Sequence, residues 1–310
     1  MNKTLIAALL CVAGGVANAA GTLKVCAADN EMPYANERGE GFEDRIAERL
    51  AAAMDMKVER VGFSDPRYVV RDLLDKGKCD VMIGVDAGDP RVATTRSYYR
   101  SSYVFVTRAD YGHEVTSWDS PVMQQAHIGV VPSTPAEVML VQIGRYPDSF
   151  RYMMSLGGNK APRNRYVRYD TEKLIRDLAA GEIDVAVAWA PAVARYIKTA
   201  PVPLKVSTVP PQATKSNGEI VNFHFDTSIA VRKDDKALLA RIEAALAKSR
   251  DEIEAVLRAE GIQMLPPDPV ASGKTGSGES LDTADVVMDA GRTPTQPASP
   301  AAKGNKDSKG

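Results

Sequence analysis

The sequence predicts an α/β protein built as two similar lobes. Strand-like and helix-like patterns alternate along most of the chain, which implies βαβ units and a mainly parallel sheet with helices on its faces. One local order, strand–helix–Gly–Asp–strand, occurs twice. The composition then changes at Pro266, where a Pro-, Gly- and Ser-rich tail begins.

The first lobe opens with a strand at Leu23–Ala28. Phe42, Ile46, Leu50, Ala53 and Met54 follow at helical spacing. Lys57–Phe63 reads as a strand, Tyr68–Leu74 as a helix and Cys79–Val85 as a third strand. In the second lobe, His127–Val131 is a strand, and Ser133-Thr134-Pro135 opens a helix through Leu140. Tyr166–Tyr169 is strand-like. Thr171 is expected to cap a helix carrying Leu174, Ile175 and Leu178, closed by Gly181. Ile183–Trp189 is a strand, Pro191–Ile197 a helix and Leu204–Val209 a further strand. Thr227–Val231 is the last strand, and Leu238–Leu257 reads as one long amphipathic helix stopped at Gly261. The repeated unit is Tyr68–Val85, with Gly77 and Asp80, and again Thr171–Trp189, with Gly181 and Asp184.

Bulk properties narrow the function classes. The 310 residues are 44% hydrophobic and 25% charged, and the net charge of −1 lacks the basic excess of a nucleic-acid partner. Residues 1–19 carry Lys3, an apolar run from Leu5 to Val16 and the small-residue site Ala17-Asn18-Ala19, the pattern of a secretory signal. Cys11 falls inside that segment. Export by this signal implies the periplasm, and no later run is long enough to span a membrane. Two cysteines remain, Cys26 and Cys79. In an oxidising compartment they form a disulfide if their strands are neighbours, and otherwise stay as two buried thiols. They and three scattered histidines show no metal-ligand spacing. No nucleophile elbow, zinc-protease helix or P-loop occurs, and no redox-cofactor motif. The expectation is a non-catalytic protein with no cofactor and no metal.

The stretch Lys78–Val106 gathers a strand end, Asp86, Asp89, Arg91 and the pair Tyr98-Tyr99, the composition of a recognition surface. Ligands of open α/β sheets bind beyond the carboxyl ends of the strands. This stretch, two α/β lobes and a secretory signal together resemble the type 2 periplasmic solute-binding proteins, over about Leu23–Leu265. A narrower resemblance rests on Val25–Tyr34, Gly39–Glu43, Asp65–Arg71, Gly77–Val81 and Pro135–Leu140. These segments are similar to the MoxJ family, whose members are also called MxaJ or XoxJ.

The resemblance implies a type 2 periplasmic-binding-protein-like fold in which each lobe is a mixed, mainly parallel sheet flanked by helices. Lobe 1 would comprise residues 20–110 and a return segment with the C-terminal helix at 222–265. Lobe 2 would comprise 111–221, with crossings near Thr107–His113 and Val221–Asp226. Residues 266–310 would be a disordered tail. The family implies an accessory protein of a PQQ-dependent methanol dehydrogenase system, assisting assembly, activation or partnering, with the dehydrogenase or its cytochrome c as partner. The alternative is an extracellular receptor of an ABC transporter, binding a small organic acid in the cleft.

The expected cleft residues are Asp29, Asn30, Tyr34, Asp86, Asp89, Arg91, Ser133, Thr134 and Trp189. Asp29, Asn30 and Tyr34 form a wall after the first strand. Arg91 stands where amino-acid-binding relatives place a carboxylate-pairing arginine, though Asp86 and Asp89 are close enough in sequence to hold it internally. Ser133 and Thr134 open a helix whose free amides suit an anion, or simply cap it. Trp189 departs from the pattern, because amino-acid-binding members carry an aspartate there for the ligand ammonium. Arg163, Arg165 and Arg168 form either solvated strand ends or a basic patch for an acidic partner.

Overall fold

The computed structural model describes residues 21–155 and 167–266, without side chains for 153–155, 167 and 168. The signal, the tail from 267, and Arg163 and Arg165 therefore lie outside the described residues. The principal elements are β1 (Gly21–Ala28), α1 (Phe42–Ala53), β2 (Met56–Phe63), β3 (Val81–Asp86), β4 (Tyr99–Arg108), β5 (Ile128–Val130), α2 (Pro135–Gln142), α3 (Thr171–Ala180), β6 (Val185–Trp189), α4 (Ala190–Lys198), β7 (Leu204–Thr208), β8 (His224–Val231), α5 (Lys236–Lys248) and α6 (Arg250–Glu260).

The expected two-lobed α/β fold is the one observed. The sheet runs β2-β1-β3-β8-β4-β6-β5, with β7 also on β4. β1 pairs in parallel with β2 and β3, and β6 pairs in parallel with β5. The middle is antiparallel. β4 pairs with β8 through Tyr99–Ser102, then with β6 through Tyr103–Thr107. A single strand thus enters both halves of the sheet. In the half shared with β6 its side chains alternate between the two faces: Val104 and Val106 face one core, Tyr103 and Phe105 the other, while Tyr99 joins the core of the other half.

α1 forms because Phe42, Ile46 and Leu50 recur on one face, and all three are fully buried against Leu23, Val25 and Val81. Asp44 accepts from the amides of Asn36 and Gly41 and holds the helix start. The predicted Cys26–Cys79 disulfide is present. β1 and β3 are parallel neighbours with Val25 opposite Val81, so the two Cα atoms lie 5.5 Å apart.

Two local expectations need correction, and a third gains detail. Tyr68–Leu74 is helical as expected, but not α-helical. A 3-10 turn at Pro66–Tyr68 leads into a single wide turn at Val70–Leu74, where β-branched Val69 and Val70 disfavour regular helix. The cap of α3 is Asp170, whose carboxylate accepts from Lys173 N at 2.9 Å, and Thr171 is the first helical residue. The long C-terminal helix is two helices, α5 and α6, joined at Ser249. Its hydroxyl bonds back to Ala245 O, and its backbone leaves helical geometry.

Candidate functional site

The carboxyl ends of β1, β3 and β6 and the start of α2 surround the candidate site. After β1, Asp29 is held by Arg60 of β2 at 3.0 Å, and Arg60 also donates to the carbonyls of Ala27 and Ala28. This anchor shapes the loop that follows. Asn30 is exposed on a two-residue strand paired with Ala35–Asn36. Tyr34 packs on Phe42 with ring centroids 5.2 Å apart. Its phenol is raised well above the usual tyrosine range, first by burial and then by Tyr99, Glu43, Tyr103 and Glu31 nearby.

Glu43, in the first turn of α1, reaches the end of β3. Its carboxylate rests on Gly84, where a Cβ would sit 1.8 Å from Oε1. Gly84 has φ +77°, so glycine is required twice over. Burial, with Asp44 beside it, pushes the Glu43 carboxyl up to about 8. It is therefore protonated at neutral pH. Tyr98 and Tyr99 stack edge-on at 5.0 Å next to it, and burial raises both phenols.

Asp86 ends β3. It is exposed but flanked by protein, and its carboxyl is raised by desolvation and by Asp89, with Arg91 opposing. Arg91 is gripped by Asp89. Its backbone amide and Nε donate to Oδ1 at 2.9 and 3.0 Å, and Nη2 donates to Oδ2 at 2.6 Å. Burial raises the Asp89 carboxyl, but these bonds outweigh it and hold the group below its usual range.

Across from these groups, Ser133 takes a left-handed backbone with φ +58° before α2. Its amide donates to Glu137 Oε2 at 2.8 Å. Thr134 stands at the N-cap without a side-chain cap bond, because its hydroxyl donates to Val131 O at 2.7 Å. The same hydroxyl lies beside the buried Tyr103 phenol.

Trp189 closes β6. Its ring meets Tyr103 at 5.7 Å and Phe225 at 5.8 Å, and Tyr103 meets Phe223 at 5.9 Å. Glu31 and Tyr169 interact from opposite sides, and Tyr169 is raised by burial first and by Glu31 next. The site is thus aromatic and acidic, with Arg91 at its margin.

Nine residues were expected here. Trp189, Thr134 and Tyr34 connect through Tyr103, while Asp86, Asp89 and Arg91 form their own group. Asp29 is engaged behind the loop and Asn30 faces outward. Glu43, Tyr103, Phe225 and the return of Glu137 to Ser133 were not singled out by sequence. Only Glu137, close behind the cap, left a local signal. Among the described residues, no three His, Cys, Asp or Glu side chains form a metal-binding set. No described helix is long and apolar enough to cross a membrane. A groove of about 620 Å³ lies elsewhere, between α5, α6 and the start of β4. The ion pairs Arg96–Glu243, Arg100–Asp226 and Arg250–Glu254 border it.

Comparison with known proteins places this arrangement. No family model matches the chain. Protein MoxJ of Methylorubrum extorquens (strain AM1) is 45% identical over 249 residues, covering 80% of this chain and 83% of that protein. The crystal structure of MxaJ from Methlophaga aminisulfidivorans MPT is 44% identical with a TM-score of 0.72, covering 78% of this chain and all of that one. The periplasmic binding protein XoxJ from Methylobacterium extorquens AM1 is 26% identical with a TM-score of 0.60, covering 79% of this chain and all of that one. A two-lobed α/β fold, with 45% identity over 80% of the chain, makes the chain a member of the MoxJ family.

Proposed function

We propose that the protein is a non-catalytic periplasmic accessory factor of a PQQ-dependent methanol dehydrogenase system. It would use a binding-protein fold to assist assembly, activation or partnering of the dehydrogenase or its cytochrome c. The family membership supplies the system, and the site supports the accessory role. The observation that carries it is that both groups expected to recognise a ligand carboxylate are already engaged by the chain's own acids. Arg91 is held by Asp89, and the amide of Ser133 is held by Glu137. The position that answers a ligand ammonium in amino-acid-binding relatives is Trp189, stacked on Tyr103 and Phe225. A ring cannot neutralise an ammonium as a carboxylate does. These features count against a transport receptor for a small organic acid and favour a macromolecular partner.

The lobe assignment expected from sequence belongs to this reading, with 20–110 and 222–265 in one lobe and 111–221 in the other. Periplasmic residence follows from the signal-like start and from the relatives. Co-purification of the tagged full-length protein with a methanol dehydrogenase is the expected result. Deletion of its gene should lower dehydrogenase assembly or activity, and an unchanged dehydrogenase in the deletion strain would contradict the proposal.

A further inference from the structure

The two lobes are joined by backbone at β4 and at the approach to β8. They are also joined a third time, by charge. Arg195 projects from α4, which follows β6 and packs on α3. Its Nε and Nη2 both donate to the carboxylate of Glu260, the last residue of α6; the Nη2–Oε2 distance is 3.0 Å. Arg45 of α1 donates to the same carboxylate at 2.6 Å. Arg195 and Arg45 converge again on the carbonyl of Glu40, at 3.2 and 3.3 Å. Glu260 is only 4% exposed, so this is a buried carboxylate shared by two guanidinium groups, one from each half of the sheet.

The surroundings reinforce the contact. Lys198, one turn beyond Arg195, donates to Ala259 O at 2.7 Å, placing a third cation at the carboxyl end of α6. Gly261 ends that helix with φ +88° and lies close to Ala194 O. Ala194 itself belongs to the apolar core built on β1 and α1.

We propose that Arg45, Glu260 and Arg195 form a clasp that fixes the angle between the lobes. Two crossing strands alone make a soft hinge, because a few backbone torsions can absorb domain rotation. A third contact set apart from those strands removes that freedom. Opening the lobes would strip Glu260 of its fork-like partner and leave Arg195 without its carboxylate, and a buried ion pair resists such one-sided rupture strongly. The clasp also ties the loop before α1, through Glu40 O, to the lobe bearing Trp189. The site walls are thus held in one relation whether or not anything is bound. The clasp is independent of which dehydrogenase, if any, the protein serves.

Pulsed electron paramagnetic resonance on the full chain tests this directly, with spin labels at Glu48→Cys in α1 and Val141→Cys in α2. The parent should give one narrow distance population. Arg195→Met leaves Glu260 its Arg45 partner, so lobe 1 keeps its fold. It should broaden the distribution and shift its mean to longer distance, and Glu260→Gln should do the same. Arg45→Met breaks only the contact within one lobe and should leave the distribution narrow. The clasp is overturned if the parent already populates two distances, or if the folded Arg195→Met protein superimposes on the parent.

Discussion

The two walls of the candidate site deal with polarity in opposite ways. The wall built on β1 and β3 is rich in charge, and nearly every charge there is answered locally: Asp29 by Arg60, Asp89 by Arg91, and Glu43 by holding its proton. The wall built on β6 and α2 is aromatic, with Trp189 and Tyr103 stacked together and a single charge, Glu137, turned back on its own helix start. Ion pairs at a surface contribute little net stability, whereas buried aromatic packing contributes much. The first wall is therefore specified by pairing and the second by packing. Among the described residues, neither wall leaves an unanswered cation for a small anion.

The largest effect should come from breaking the packed wall. Trp189→Ala removes a half-buried ring from Tyr103 and Phe225 and should cost about 3 kcal/mol in chemical denaturation. Arg91→Ala, which removes the exposed partner of the nearly buried Asp89 carboxylate, should cost less, about 1–2 kcal/mol. If the two variants cost the same, the contrast between the walls fails.

Comparable in size is the disulfide that supports the charged wall from behind. The Cys26→Ala/Cys79→Ala double variant should lose about 2–4 kcal/mol, because a covalent loop that constrains the unfolded chain is gone. Thermal melts of the oxidised parent and the variant would show it as a lower Tm. The pairing of these cysteines was one of two readings open in the sequence, and the sheet order β2-β1-β3 decides it by making β1 and β3 neighbours. The general alternation of strands and helices was legible because period and spacing are local. Other features were not. Ser249 divides a continuous amphipathic pattern, and nothing in the pattern shows that its hydroxyl will turn back to Ala245 O. Glu43 and Gly84 are far apart in sequence, as are Arg195 and Glu260. Their meeting depends on how the elements pack, which periodicity does not encode. Arg91 had two readings in sequence, and the structure puts Asp89 within reach of its backbone amide and guanidinium together.

A further effect is a slope with pH. Glu43 has its carboxyl raised from 4.5 to about 8 in the folded protein, so the native state binds more proton than the unfolded chain between those values. Its contribution to stability is retained below about 4.5 and falls as pH rises towards about 8. Glu43→Gln should flatten that fall, leaving the variant relatively more stable above pH 8 than at pH 5. Denaturation curves across this range would check it, and identical slopes in parent and variant would show that Glu43 is already ionised at neutral pH.

The central claim is that the carboxylate-recognising groups of this site are satisfied from within the chain. Calorimetric titration of the full-length protein with small mono- and dicarboxylates tests it most directly. The account predicts no saturable heat for the parent. It also predicts that Asp89→Asn/Glu137→Gln, which frees Arg91 and the Ser133 amide, gains binding. Saturable binding to the parent that disappears in Arg91→Ala would contradict it.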